Sequence, residues 1–414
     1  MRIAIVGAGV SGLVVAHLLG PGHDVTVYEA AAYAGGHANT IRVDTPNETH
    51  AVDTGFIVLN DRNYPNFERL LDRLGVASQP SEMSFSVSDG RGDFEYNGAT
   101  PNGLFAKRAH LVTPWFHRML ADLARFNRAA RSLLHLNGDG PSLGHWLEEQ
   151  RFSRPFIDNL IVPQASAVWS ADPHQMWSFP ARFLVEFFDN HGMLGLRNRP
   201  RWRTVRGGSA RYVESLLGQF GGRIRLDTPV TAVTRTPDHV LVLARGAEPE
   251  RFDDVVLATH SDQALKMLGD ASAREHDILG AIPYQRNEAV LHTDVGMLPR
   301  RRRAWASWNY HLEQPPGPQS TVTYHMNRLQ SLAAEREFCV TLNRTGEIDP
   351  DKVIRKFDYA HPVYTAAGVH AQARVNEISG RNRTHFCGAY WGWGFHEDGV
   401  VSALRVARHF GARL

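Results

Sequence analysis

The chain begins MRIAIVGAGVSGLVVAHLLG (residues 1–20), and residues 2–12 of this stretch decide the fold. Residues 2–6 (RIAIV) bring β-branched and apolar side chains together up to a glycine, which predicts a short buried strand. Residues 11–19 predict a helix that begins near Ser11. Residues 24–28 (DVTVY) predict a second strand, so the amino terminus as a whole predicts a β-α-β unit.

A glycine-rich turn, residues 7–12 (GAGVSG), joins the first predicted strand to the helix. In a GxGxxG turn of this kind, Gly7 permits the tight bend, Gly9 lets the backbone approach a pyrophosphate and Gly12 lets the helix pack closely. The first helical amides and the helix dipole then face the phosphates. Glu29 ends the second strand, 22 residues after Gly7, where a carboxylate accepts hydrogen bonds from ribose hydroxyls and disfavours a 2′-phosphate. The spacing therefore predicts a dinucleotide site and argues against NADP.

The bulk composition limits the class of protein. A length of 414 residues predicts two domains, and 43% hydrophobic with 21% charged residues is typical of a globular protein. A net charge of +2 argues against a nucleic-acid partner bound through a basic surface. Two cysteines, Cys339 and Cys387, are too few for a disulfide framework or a zinc site, and the 21 histidines show no metal-ligand spacing. We expect a cytoplasmic protein without a metal.

Secondary-structure signals run along the whole chain and suggest two interleaved domains. We expect a nucleotide-binding domain from residues 1–62, 205–268 and 376–414, and a substrate domain from 63–204 and 269–375. Ser142 and Ser178 are candidate helix caps. Helices are predicted near 64–75, 115–136, 142–150, 178–191, 209–220 and 398–411. Strands are predicted near 223–236, 239–244, 253–259, 286–292, 304–310, 321–326 and 384–387.

A second glycine pair follows the second strand, and it narrows the choice of nucleotide. Gly35-Gly36-His37, with Asn39 and Thr40 after it, resembles the flavin amine oxidase and phytoene desaturase superfamily, in which a Gly-Gly-Arg segment lies against the pyrophosphate and ribityl chain of FAD. Histidine replaces the arginine here, so the resemblance implies one hydrogen bond in place of a phosphate salt bridge. Arg42 is a candidate substitute for the missing cation.

Distant segments complete the resemblance. Val230, in the run DTPV (227–230), is similar to the family position that meets the adenine, and LATH (257–260) is similar to the strand end that returns to the pyrophosphate. Near the carboxyl terminus, FCGA (386–389) and GWGFHEDG (392–399) lead into the last predicted helix. A helix beginning near Asp398 would direct its amides at the pyrimidine end of the flavin, where charge accumulates on reduction.

GWGFHEDG, with RWRTV (201–205), GGS (207–209) and AWASWNY (304–310), also resembles a subgroup of FAD oxidoreductases similar to the oxidase-like domain fused to plant cyclopropane fatty acid synthases. This resemblance implies an α/β fold, in which a Rossmann-type, glutathione reductase-like FAD-binding domain is interleaved with an α+β substrate domain. The residues implied to bind FAD are Gly7, Ala8, Gly9, Val10, Ser11, Gly12, Glu29, Ala30, Gly35, Gly36, His37, Thr54, Gly55, Val230, Ala258, Thr259, Gly388, Ala389, Gly399 and Val400.

The substrate is less well specified. Family amine oxidases usually carry a lysine near the flavin, and residues 284–292 (YQRNEAVLH) contain none. The leading hypothesis is therefore an FAD-dependent dehydrogenase, desaturase or oxidase acting on an apolar substrate, such as a modified or unsaturated fatty acyl chain. A flavin amine oxidase, and a non-catalytic flavoprotein partner of a lipid-modifying enzyme, are the alternatives.

Few catalytic groups can be nominated, because the flavin itself accepts hydride. His396 and Glu397 are the titratable residues nearest the inferred flavin, either as catalysts or as structural hydrogen-bond partners. Candidate substrate contacts, with core packing as the alternative, are Trp391, Trp393, Phe183 and Phe187. Arginine runs at 197–206 and 300–303 indicate a solvated surface or a transient contact with anionic lipid headgroups. The expected partners are thus a small-molecule or lipid substrate, a membrane surface and a lipid-modifying enzyme, with no nucleic acid.

Overall fold

A computed structural model describes residues 1–414 except 137, 139, 196–198, 314 and 316. Its strands, in chain order, are β1 (Arg2–Val6), β2 (Asp24–Tyr28), β3 (Thr40–Asp44), β4 (Thr49–Asp53), β5 (Leu59–Asn60), β6 (Ser78–Pro80), β7 (Phe85–Ser88), β8 (Glu95–Asn97), β9 (Trp202–Val205), β10 (Arg223–Arg225), β11 (Val230–Arg235), β12 (Val240–Ala244), β13 (Glu250–Phe252), β14 (Asp254–Leu257), β15 (Tyr284–His292), β16 (Trp308–His311), β17 (Val322–His325), β18 (Cys339–Leu342), β19 (Val353–Pro362) and β20 (Thr384–Phe386).

The α-helices of the described residues are α1 (Val10–Leu19), α2 (Pro65–Leu74), α3 (Pro101–Leu104), α4 (Pro114–Ala129), α5 (Leu143–Glu149), α6 (Arg154–Phe156), α7 (Val162–Trp169), α8 (Ala181–Asn190), α9 (Ala210–Gln219), α10 (Ser261–Met267), α11 (Ala273–Gly280), α12 (Met326–Leu329), α13 (Ala366–Ala373) and α14 (His396–His409). A π-helical turn, Ile157–Ile161, connects α6 to α7. None of the described helices is long and apolar enough to cross a membrane.

A five-stranded parallel sheet, in the order β10-β2-β1-β14-β20, forms the first layer. Ile3 and Ile5 of β1, with Val25 and Val27 of β2, are fully buried, as expected for parallel strands that are covered on both faces. Helices α1, α9 and α14 pack together beside it, and their apolar side chains share one core. The predicted β-α-β unit is confirmed, and the sheet combines strands from both ends of the chain.

A second sheet, of seven strands in the order β19-β15-β18-β17-β16-β7-β8, is mixed in direction. Helices α4 to α8 supply most of a second core, which is rich in aromatic side chains and reaches Tyr310 and Val322 of this sheet. The arrangement confirms the predicted α/β class with a Rossmann-type sheet. The proposed division at residues 62, 204, 268 and 375 stays a prediction.

Several local expectations are corrected. The run 223–236 is two strands, because Asp227 adopts φ +49° and Pro229 cannot donate to a ladder. The last helix begins at His396, two residues before the expected start. Ser142 caps α5 as expected, whereas the N-cap of α8 is Pro180, and the Ser178 hydroxyl donates to the Gln175 carbonyl.

Candidate functional site

The turn between β1 and α1 is shaped by contacts that only glycine tolerates. Gly7 has φ +102°, and a Cβ there would lie 2.7 Å from the carbonyl oxygen of Ala258. A Cβ on Gly12 would lie 1.9 Å from the carbonyl oxygen of Gly7. Gly9 differs, because a Cβ at that position meets nothing within 4 Å. Two glycines therefore close the turn, and the third borders open space.

This open space fits the pyrophosphate of a dinucleotide. Gly9 is the N-cap of α1, and no described side chain caps the helix. Its first amides are thus free to donate to an anion, with the positive end of the helix dipole behind them. A side chain at Gly9 would enter the space that a phosphate group needs. The donor set and the missing Cβ therefore match FAD, the nucleotide implied by the sequence.

Glu29 ties the end of β2 to this turn. Its carboxylate accepts hydrogen bonds from the amides of Ala8 (2.7 Å) and Ala31 (2.9 Å). The Glu29 amide donates to the carbonyl of Arg225, and its own carbonyl accepts from the Thr228 amide. These bonds hold the segment that leads into Val230 against the end of β2, where Ala30 is exposed. The two segments predicted to meet the ribose and the adenine are therefore neighbours, and their contact with a nucleotide stays a prediction.

The second glycine pair lies directly against the first turn. Gly35 (φ +125°) donates its amide to the Ala8 carbonyl at 2.8 Å, and a Cβ on Gly36 would lie 3.3 Å from Gly9 Cα. The carbonyl of the following residue, His37, accepts the Phe56 amide at 2.7 Å, and a Cβ on Gly55 would lie 2.4 Å from the same oxygen, so only glycine allows this close packing. Thr54 holds the same loop through two hydrogen bonds to the Asn39 carbonyl, both 2.9 Å.

The two ends of the chain meet at this point. The Ser11 hydroxyl donates to the Gly399 carbonyl (3.1 Å), although 388 residues separate them. A Cβ on Gly399 would lie 2.8 Å from Cγ1 of Val10. Beneath the contact, the Gly388 amide donates to the Ser402 hydroxyl, and Val400 is fully buried. A Cβ on Gly399 would lie 3.9 Å from Ala389 Cβ, and one on Gly7 would lie 3.4 Å from Thr259 Cγ2, so the predicted cofactor segments converge.

Imidazole groups surround the space beside the second glycine pair. His37 stacks on Tyr359 with ring centroids 4.8 Å apart, and it lies 5.3 Å from His361. Burial, with a smaller contribution from neighbouring imidazoles, lowers the pKa of His37 and of His260 to about 4 and that of His361 to about 3. These rings are therefore neutral at pH 7. The buried Nε2 of His37 has no hydrogen-bond partner among the described residues.

A relay of two asparagines fixes the tautomer of His361. Asn343 accepts the Glu288 amide on Oδ1 (3.0 Å). Its Nδ2 donates to the Ser320 carbonyl and to Asn287 Oδ1, both at 2.8 Å. Asn287 Nδ2 then donates to Nδ1 of His361 at 2.9 Å, so the proton of the neutral ring lies on Nε2. Within the described ranges no group accepts from Nε2, which leaves this N–H for a ligand.

The two candidate catalysts have different surroundings. His396 is buried, stacks on Phe56 at 3.5 Å and shares a 2.9 Å hydrogen bond with the Tyr212 hydroxyl. Burial lowers its pKa well below the usual value. Glu397 caps α2, since its carboxylate accepts the amides of Asn66 (3.1 Å) and Phe67 (2.9 Å) and the Asn66 side chain (2.6 Å). Both oxygens of Glu397 are thus engaged by the protein.

The aromatic candidates are divided between two cores. Trp393 is half-buried, with Phe183 and Phe187 at ring distances of 6.3 and 6.2 Å, and its carbonyl accepts the Trp169 indole N–H at 3.0 Å. Trp391 belongs to a different core, beside Tyr390. Three of the four candidates therefore form one wall. Trp391 packs behind the strand end that carries Gly388.

Several residues at the site were not nominated from the sequence. Asp53 is fully buried and accepts hydrogen bonds from Thr40, Ser209 and Gln330, and burial raises its pKa to about 6. The other such residues are Asn287, Asn343, Tyr359 and His361. Only Asn287 has a local signal, since it is a polar residue within the predicted strand 286–292. The candidate cation Arg42 is exposed on β3, and no contact with the glycine turns is present in the described part of the chain.

Comparison with known proteins agrees with this geometry. The family model described as flavin containing amine oxidoreductase matches residues 10–290. Among solved structures, cyclohexylamine oxidase from Brevibacterium oxydans is similar over 99% of both chains, with 16% identity and a TM-score of 0.72. Putrescine oxidase bound to putrescine gives 16% identity over 99% of both chains and a TM-score of 0.67. A CLA-producing fatty acid isomerase from P. acnes is similar over 99% of this chain and 98% of its own, with 15% identity and a TM-score of 0.67.

Proposed function

Because the chain belongs to the flavin containing amine oxidoreductase family and is an FAD-dependent oxidoreductase, we propose that it oxidises an apolar substrate. A modified or unsaturated fatty acyl chain is the substrate class that its side chains favour. The observation that carries this proposal is the neutral, aromatic lining beside the glycine turns. The neutral imidazoles of His37 and His361 lie 5.3 Å apart. The wall of Phe183, Phe187 and Trp393 is connected to the end of β19, which carries His361, through Tyr364, whose ring stacks on Phe183 at 5.0 Å.

The described carboxylates near this lining do not serve a cationic substrate well. Those of Asp53 and Glu397 already accept hydrogen bonds from the protein. Burial raises the pKa of Asp398 to about 7, which weakens it as a counter-ion. A protonated amine would have to give up its hydration without a free partner, whereas an apolar chain would not. That a fatty acid isomerase shares the fold further supports an acyl substrate.

The residues divide the work of such a reaction. FAD, when bound, supplies the hydride acceptor. Gly9 and the first turn of α1 would hold the pyrophosphate. Glu29, whose oxygens each accept one backbone amide, would accept the ribose hydroxyls on its remaining lone pairs. His361 offers a fixed, uncharged N–H donor, whose direction is set by Asn287 and Asn343 and does not depend on pH near neutrality. The aromatic wall excludes water and orients the chain of the substrate.

An amine oxidase is the second candidate, since cyclohexylamine and putrescine oxidases share the fold. A matched pair of donors separates the two: an unsaturated fatty acid and the primary amine with the same hydrocarbon chain. Each is mixed anaerobically with the purified holoenzyme while flavin absorbance is followed. We expect the fatty acid, or its phospholipid ester, to bleach the flavin and the amine to leave it oxidised.

Bleaching by the amine alone would refute the proposal in favour of amine oxidation. A flavin that stays oxidised with every donor would instead favour the non-catalytic partner of a lipid-modifying enzyme. His361→Ala provides a check on the site, because it removes the N–H donor from the rim of the space. It should slow bleaching by the acyl donor while the FAD content of the purified protein is retained.

A further inference from the structure

An apolar tip projects from the helical layer, far along the chain from the glycine turns. It consists of Leu111, Val112 and Trp115, at the junction of a 3-10 turn (Arg108–Val112) and α4, and the three side chains are 52%, 82% and 40% exposed. The tip has a firm base, since the next residue, Phe116, is fully buried and stacks on His110 at 4.3 Å. Large apolar side chains held out in water mark a contact site.

A basic face continues from this tip along α4. It consists of Lys107, Arg108, Arg118, Arg125, Arg128 and Arg131, which are half-buried or exposed. Between residues 107 and 136 the sequence has one acidic residue, Asp122. Its carboxylate is fully buried and accepts hydrogen bonds from Arg118 (3.2 Å) and Arg125 (2.5 Å). The solvent-facing side of this segment is therefore cationic.

Helical spacing aligns the arginines of α4. Arg118, Arg125 and Arg128 recur at intervals of seven and three residues, which places them on one side of the helix, and Trp115 lies in its first turn, at the end next to the apolar tip. Phe116, Met119 and Phe126 occupy the opposite, core-facing side. Leu136, 40% exposed, lies beyond the other end of the helix. The apolar side of α4 is taken up by the protein core, so it is the exposed apolar tip beside the arginines, and not the helix face, that suits the surface of an anionic bilayer.

The arginine runs singled out in the sequence lie in other elements, and several of their side chains have partners within the protein. Arg201 pairs with Asp61 and Arg301 with the buried Glu95. Arg203 donates to the hydroxyl and carbonyl of Ser78. Arg197, in the first run, lies outside the described residues. Partners within the protein also engage Arg108, Arg118 and Arg125 of the basic face. The side chains of Arg128 and Arg131 have no hydrogen bond or ion pair to any other described residue, so the test below uses these two.

We infer that the apolar tip and the basic face dock the protein on a bilayer that contains anionic lipid. The arginines attract the headgroups, and Leu111, Val112 and Trp115 enter the interface between headgroups and acyl chains. Nucleic acid matches the charge but offers nothing to the aliphatic tip. The inference rests on this surface alone and does not require the proposed acyl substrate.

Flotation of the holoenzyme with vesicles tests the inference. Vesicles of phosphatidylcholine alone are compared with vesicles containing about 30% phosphatidylglycerol, at low and at high salt. We expect binding to the anionic vesicles that weakens with salt. One cation near the surface is worth about fivefold in partitioning, so Arg128→Glu with Arg131→Glu should weaken binding by at least about 25-fold. Arg251→Glu with Arg413→Glu changes the net charge equally at other exposed positions and should leave binding intact.

Insertion of the tip is measured separately. Cys339 and Cys387 are fully buried, so a polarity-sensitive dye can be attached selectively to Val112→Cys. Its emission should shift to the blue on anionic vesicles, and dye on Ile354→Cys, an exposed position on β19, should not respond. The inference would be overturned by any of four results. These are a wild-type protein that does not bind anionic vesicles, equal binding by the two charge variants, an unshifted dye at position 112, and preferential binding to DNA. Circular dichroism and FAD content confirm that each variant is folded.

Discussion

Gly9→Ala should separate cofactor binding from folding. The position has φ −72° and ψ −178°, an extended conformation that alanine adopts without strain. The added Cβ meets no atom of the described residues within 4 Å. Removing a glycine at a compatible position reduces the entropy of the unfolded chain and stabilises the fold by about 0.4–1 kcal/mol. The apoprotein should therefore be as stable as the wild type, or slightly more stable.

The effect on FAD should have the opposite sign. A methyl group at Gly9 keeps the pyrophosphate from approaching the first amides of α1, and a hydrogen bond to a charged group contributes about 1.5–3 kcal/mol. Loss of one such bond weakens FAD binding by about 10- to 150-fold. Titration of apoprotein with FAD, followed by flavin fluorescence, measures the change in FAD affinity. Urea denaturation of the apoprotein measures the change in its free energy of unfolding.

Two further glycines serve as controls. Gly22 is exposed, and a Cβ there would meet no atom of the described residues within 4 Å. Gly22→Ala should therefore leave both the FAD affinity and the stability of the apoprotein near the wild-type values. Gly12→Ala should destabilise the apoprotein itself, because its Cβ would lie 1.9 Å from the Gly7 carbonyl oxygen. If Gly9→Ala bound FAD with wild-type affinity, the open space beside α1 would not be the pyrophosphate site.

Two more predictions concern the start of α14. Glu397→Ala removes the cap of α2 and should lower the free energy of unfolding by about 1–2 kcal/mol; a variant of unchanged stability with no activity would instead make Glu397 a catalyst. Burial raises the pKa of Asp398 to about 7, so the native state holds this proton more tightly than the unfolded chain. The contribution of this proton to the free energy of unfolding is fully present below about pH 4 and is lost as the pH rises through about 7. Apoprotein denaturation at about pH 5 and about pH 8 should show wild type losing stability relative to Asp398→Asn, and a parallel pH dependence in the two proteins would contradict this.

The parts of the fold that the sequence predicts well are those set by local rules. A run such as RIAIV followed by GAGVSG has few conformations open to it, and Glu29 follows at the spacing of one β-α-β unit. Ser142 caps α5 because its hydroxyl accepts a nearby amide. The last strand, Thr384–Phe386, joins the sheet beside β14. Local steric and hydrogen-bond rules were sufficient for these elements.

The residues that were missed depend on distant partners. His361 becomes a defined donor only through Asn287 of β15 and Asn343, the residue after β18, which lie 74 and 18 residues before it. Strand β19 itself was not predicted, because most of its side chains are at least partly exposed and give no apolar run. Glu397 was nominated for its proximity to the flavin, yet the first turn of α2, more than 300 residues earlier, engages its carboxylate. Such roles are set by tertiary contacts.

The central claim is that glycine segments at the two ends of the chain close around one FAD. Hydrogen-exchange mass spectrometry on apoprotein, with and without added FAD, tests it most directly. We predict that FAD slows exchange in residues 7–12 and in residues 388–400 together, with the same dependence on FAD concentration. Protection of the amino-terminal turn alone, with no change near Gly399, would contradict the claim.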